Sequence, residues 1–176
     1  MLVERRFNKG QVAVATATQR DGVISASTKI SGYAAVFNQE FVMYEDEAYR
    51  VIEVIAPGAF TPVLDNDVRC LFNHAPDNVI GRTGNKTLTM KQDSHGLRFA
   101  NVMDTKTTVG SNVLQFVKRG DVTGCSFGFV VDEAEWSEAT QADGRTVVKR
   151  TITKLKALLD VGPVTYPAYE QTSVSA

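Results

Sequence analysis

The sequence predicts a mainly β, α+β fold: a curved antiparallel sheet or β-barrel with a few helices packed on its outside. Three observations lead there. Short apolar runs alternate with period two and are broken by Gly, Asn and Asp, which is strand patterning. Asp93-Ser94-His95-Gly96 and Asp143-Gly144 stand between such runs as hairpin tips. Helical spacing is sustained in one place, from about Thr107 to Arg119. A curved or closed sheet accommodates many short strands without leaving long edges.

In chain order, Val12 to Ala17 and Ile24 to Phe37 carry the first strand pattern, followed by Tyr49 to Ile55 and Val68 to Phe72. Pro57-Gly58-Ala59-Phe60 and the residues to Leu64 predict a turn leading into a short helix. Gly81-Arg82-Thr83-Gly84 reads as a turn. Lys86 to Met90 and Leu97 to Val102 form a hairpin about the Asp93 turn. In the helix, Val109, Val113, Phe116 and Val117 share a face. Lys118 and Arg119 complement the macrodipole at its end, and Gly120 stops it. Phe127 to Val131 and Thr146 to Leu155 form a second, longer hairpin, with the polar stretch Glu133 to Gly144 as its exposed end.

At 176 residues the chain suits a single domain over 1–176 with a real core. Hydrophobic residues at 43%, charged residues at 22% and a net charge of -1 exclude a disordered or collagenous chain. They also give no global pull toward nucleic acid or an anionic membrane, and no apolar run is long enough to span a bilayer. Met1 to Gly10 is charged and lacks the apolar core of a secretory signal. Cys70 and Cys125 sit in apolar company, so both are expected as reduced core thiols in a cytoplasmic protein. Two His and two Cys, scattered, give no metal-ligand spacing, and there is no phosphate loop or dinucleotide fingerprint. No cofactor is expected.

The scarcity of histidine narrows the candidates for chemistry. His95 belongs to a turn and is expected in solvent. His74 ends an apolar run and faces the loop Ala75-Pro76-Asp77-Asn78, a place suited to a general base and equally to a structural His bound to a carbonyl. Ser126 lies in Gly124-Cys125-Ser126-Phe127-Gly128, a Gly-x-Ser-x-Gly pattern. It reads as a tight turn exposing a nucleophile or as a β-turn with a surface serine. An α/β-hydrolase esterase needs strand, elbow, helix and a downstream His, an order this chain does not have. Asp160 stands among Leu158, Leu159 and Val161, where a carboxylate is costly to bury unless paired. It either accepts the imidazole N–H of His74, or faces solvent or caps a turn before Gly162-Pro163. Cys125 is an alternative nucleophile, but alternation turns it to the face opposite Ser126, where a thiol packs.

Several segments in order resemble the prohead maturation proteases of tailed bacteriophages, a family distantly similar in fold to herpesvirus assemblin. They are Gly32-Tyr33-Ala34-Ala35-Val36-Phe37-Asn38, Glu53-Val54-Ile55-Ala56-Pro57-Gly58-Ala59-Phe60 and Leu71-Phe72-Asn73-His74, with Gly81 and Gly96-Leu97. Gly120 to Phe129 and Asp160 to Tyr169 complete the series. The resemblance implies a herpesvirus-protease-like fold and a serine endopeptidase with Ser126 as nucleophile, His74 as base and Asp160 as the third member. The family's acid is usually Glu; the shorter Asp160 has to sit nearer the imidazole or reach it through water. The implied partners are the major capsid protein with its scaffolding segment and, in autoprocessing, the chain itself, inside the assembling procapsid in the host cytoplasm. No nucleic acid or membrane partner is implied, and a homo-oligomer is compatible. The alternative is a catalytically inactive capsid-assembly or scaffold module of the same fold.

Overall fold

The computed structural model describes residues 4–8, 12–14 and 28–166. Ala15 to Ala17, Ile24 to Ser27 and Pro167 to Tyr169, which carry parts of the expected strands and of the resemblance, lie outside the described residues. The fold is mainly β, as its apolar alternation requires. One sheet is antiparallel and has the order β2 (Val12–Val14), β3 (Lys29–Val36), β9 (Gly96–Val102), β8 (Leu88–Gln92). The other runs β1 (Glu4–Asn8), β10 (Gly124–Thr140), β11 (Thr146–Val164), β5 (Tyr49–Ile55), β4 (Phe41–Glu45). Further along β11 the place beside it passes to β6 (Arg69–Leu71), which pairs in turn with β7 (Val79–Arg82).

Four expectations change. β11 runs parallel to both β5 and β6, so the larger sheet is mixed rather than antiparallel. Period-two patterning fixes which face a residue takes, not which strand lies beside it. Glu133 to Thr140, expected as the exposed end of the hairpin, is itself strand and continues β10 in register with Thr146 to Lys154. A backbone ladder holds this stretch although the side chains of Glu133 to Thr140 are mostly exposed. Gly81 and Arg82 belong to β7 rather than a turn. Among the described residues there is one α-helix, α1 (Thr108–Arg119), and the short helix expected near Leu64 is a single 3-10 turn, Thr61–Val63.

The helix forms as its sequence dictates. Thr107 caps it, its Oγ1 accepting from the Gly110 amide at 3.1 Å. Gly120 ends it at φ 78°, where the Asp121 amide donates to the Phe116 carbonyl at 2.9 Å. Val113, Leu114 and Val117 are buried in the core. No helix among the described residues is long and apolar enough to cross a membrane.

The core is aromatic at its centre. Phe60 meets Phe127 edge-on with ring centroids 5.6 Å apart, and Phe127 stacks on Phe129 at 4.7 Å. Register shifts between Gly128 and Ala134 bend the β10–β11 ribbon around these rings. Arg150 on β11 joins Glu53 on β5 and Glu4 on β1 through bonds of 2.9 to 3.1 Å. Beyond the core the ribbon projects, and Trp136 there is exposed beneath the Arg150 guanidinium.

Candidate active site

Two adjacent strands set the frame. In the antiparallel register of β10 and β11, Ser126 lies opposite Gly162 and Gly128 opposite Asp160. Partners across a ladder and residues two apart along a strand share a face, so Ser126 and Asp160 are diagonal neighbours on one side of the sheet. Diagonal Cα atoms stand about 7–8 Å apart, a gap that an imidazole ring can bridge. Alternation sends Cys125, Phe127 and Phe129 to the other face, into the core.

The ring arrives from β6. That strand lies beside β11 at Asp160 and Val161, and its chain then crosses over Gly162. A Cβ at Gly162 would stand 2.0 Å from the Leu71 carbonyl oxygen, so the crossing needs glycine. Asn73 then fastens the loop. Its amide donates to the Pro163 carbonyl at 3.1 Å, its Oδ1 accepts from the Thr165 amide at 2.7 Å, and its Nδ2 donates to Thr165 Oγ1 at 3.0 Å. Asn73 and His74 both have φ 56°, the left-handed region. Asparagine tolerates that conformation; for histidine it costs about 1–2 kcal/mol and persists only where neighbours impose it.

His74 Nδ1 is hydrogen-bonded to Asp160 Oδ1, and His74 Nε2 lies 2.5 Å from Ser126 Oγ. A carboxylate only accepts, which assigns the ring proton to Nδ1 and leaves Nε2 to accept from the serine hydroxyl. The carboxylate contacts the ring directly, so the shorter Asp needs no bridging water. Ser126 has no exposed surface and His74 has 8%, so a substrate must open a path to the hydroxyl. Burial pushes the Cys70 thiol far above its usual range, with the neighbouring Asp160 carboxylate adding to the shift. Burial likewise raises the Cys125 thiol. Both stay neutral, and Cys125 faces away from the imidazole, so it is packing rather than a nucleophile. His95 is exposed in its turn, its amide bound to Asp93 Oδ1 at 2.9 Å.

Residues 15–176 match the family described as caudovirus prohead serine protease. The chain belongs to that family. A search of curated proteins found no match. Among solved structures the chain is similar to one described as the structure of the bacteriophage T4 capsid assembly protease, gp21. The likeness has 12% identity, covers 94% of this chain and 97% of that one, and has a TM-score of 0.46.

In this prohead protease the Gly-x-Ser-x-Gly pattern is not a turn. Ser126 sits within β10, paired with Phe7 on one side and Gly162 on the other. An elbow of free amides around the serine is therefore absent from this stretch of strand. Gly128 serves another purpose: a Cβ there would lie 2.4 Å from Asp160 Oδ2. Its missing side chain is the space the carboxylate occupies. Arg82, at the end of β7, pairs with Asp67 at 2.8 and 2.6 Å on the surface. Sequence reasoning missed Asn73, Gly128 and Gly162 as supports. The one local signal was Asn73, a residue type suited to left-handed backbone.

Proposed function

We propose that this chain, folded as a single domain, is a serine endopeptidase in which Ser126 is the nucleophile, His74 the general base and Asp160 its orienting partner. The observation that carries the reading is the unbroken relay from the Ser126 hydroxyl through both nitrogens of His74 to Asp160, assembled from three distant stretches of chain. His74 Nε2 takes the hydroxyl proton as Ser126 Oγ attacks the scissile carbonyl. The imidazolium, held by Asp160, then protonates the departing amine, and the acyl-enzyme is hydrolysed by water that the same nitrogen activates. The strained left-handed His74 and its fastened loop hold the ring in place before substrate arrives, which lowers the entropic cost of reaction.

Membership in the prohead protease family supports a substrate inside the assembling procapsid within the bacterial host: the scaffolding segment of the capsid protein and, in autoprocessing, the chain itself. Co-expression with the capsid protein tests this. Wild type should trim it, and Ser126→Ala and His74→Ala should leave it full length while remaining folded by circular dichroism. Continued trimming by Ser126→Ala would refute the assignment and favour a non-catalytic assembly module.

A further inference from the structure

A cavity of about 340 Å³ lies between α1 and the loop that carries His74. Phe72, Val109, Val113 and Phe116 give it an apolar lining, and its polar members, Asn78, Thr108 and Asn112, are uncharged. We infer that this cavity is a specificity pocket for one uncharged, apolar side chain of the substrate, within about three residues of the scissile bond. The inference rests on the protease reading above and adds the side chain it selects.

Position is the first argument. Phe72 and Asn78 form the base of the His74 loop, closed by the Phe72 amide donating to the Asn78 carbonyl at 3.1 Å. Phe72 is two residues from His74, so their Cα atoms lie within about 7 Å. An extended peptide advances about 3.3 Å per residue, so three residues from a carbonyl at Ser126 reach roughly 10 Å. The Phe72 and Phe116 rings, 6.1 Å apart, tie the loop to the helix and give the pocket a firm wall.

Size and charge supply the rest. Ligand pockets start near about 300 Å³, so this one suits a single bulky side chain rather than a folded segment. With no charged residue in its lining, an ammonium or carboxylate placed there would lose water without gaining a partner. Leucine or phenylalanine fits within it and buries more apolar surface there than alanine.

The test uses the full chain and peptides spanning the junction it cleaves in the capsid protein, mapped by mass spectrometry. Leu, Ala, Lys and Glu are placed in turn at each of three positions on either side of the bond. One position should prefer Leu over Ala by about 30-fold in kcat/KM and reject Lys and Glu more strongly. Val109→Phe, which narrows the cavity, should collapse that Leu-to-Ala ratio at the same position alone. Asn112→Trp, made from an exposed helix position that folding tolerates, should do likewise. Indifference at all six positions, or variants that leave the ratio unchanged, would overturn the pocket while leaving the Ser126-dependent chemistry standing. Failure of wild type to cleave any peptide or the capsid protein would remove the protease reading itself.

Discussion

Gly128→Ala is the sharpest probe of the proposed relay, because it crowds the Asp160 carboxylate without replacing Ser126, His74 or Asp160. The new Cβ would stand 2.4 Å from Asp160 Oδ2 and 3.2 Å from its Cγ, whereas an ordinary contact is about 3.4 Å. The carboxylate must therefore withdraw by roughly 1 Å, and a misplacement of that size in a positioned group costs about 10²-fold in rate. Oδ1, which holds His74 Nδ1, would itself be 3.6 Å from the new methyl, but it belongs to the same rigid carboxylate and moves with it. The strand conformation is not at issue, since Gly128 is not among the glycines with positive φ. Overpacking should cost about 1–3 kcal/mol of stability, measured by urea unfolding. Peptide cleavage should show kcat reduced about 100-fold with KM little changed, because Asp160 touches the imidazole rather than the substrate. A double variant isolates the cause. If alanine acts through the carboxylate, Gly128→Ala and Asp160→Asn lose less together than the product of their separate losses. A kcat within threefold of wild type for Gly128→Ala, or full multiplication in the double variant, would refute the argument.

Asp160→Asn by itself should lower kcat by about 10³–10⁴-fold without unfolding the chain, since the amide favours the wrong imidazole tautomer; a near-normal rate in steady-state kinetics would take Asp160 out of the relay. Asn73→Ala removes two side-chain hydrogen bonds and places a Cβ residue at φ 56° without asparagine's local compensation. It should destabilise by about 2–3 kcal/mol and slow cleavage, with Asn73→Asp intermediate because it keeps the acceptor for the Thr165 amide. Equal behaviour of Ala, Asp and wild type in urea melts would dismiss the loop-fastening role. Cys70 and Cys125, held neutral by burial, should resist iodoacetamide at pH 8.5 until the protein unfolds; rapid labelling of either in native protein would contradict their placement. Their raised folded-state values also fix a sign. Above about pH 8.5 the unfolded chain ionises these thiols and the folded chain does not, so stability is full below that pH and falls as pH rises. The fall approaches about 1.4 kcal/mol per pH unit for each thiol, and Cys70→Ala/Cys125→Ala should flatten it; an unchanged alkaline slope would rule the thiols out as its source.

Much of the fold is written locally. Thr107, the apolar stripe of Val113 and Val117, and Gly120 delimit the helix because capping and burial act within a few residues. The Asp93 hairpin forms where Asp93 Oδ1 accepts from the amides of His95 and Gly96. Exposed strands were harder. Glu133 to Thr140 is mostly polar and Phe41 to Glu45 is a continuous apolar run up to Tyr44, without alternation. Both have mostly exposed side chains, so burial of one face did not mark them and pairing with a neighbour decided their conformation.

The choice of Ser126, His74 and Asp160 was legible because histidine is rare in this chain and because the segments around all three resemble one family. Both readings of Ser126 put it in a turn, and neither turn was right, because it lies within β10. A glycine two residues from a serine looks the same whether it bends a chain or makes room for a carboxylate on the next strand. Local chemistry therefore determined the element types, the helix ends and the candidate groups. Only the tertiary structure decided that β6 runs parallel to β11, that the chain crosses at Gly162, and that one imidazole sits between a hydroxyl and a carboxylate. Those outcomes depend on which strands lie side by side, and that is set by packing between distant segments rather than by any residue's own preference.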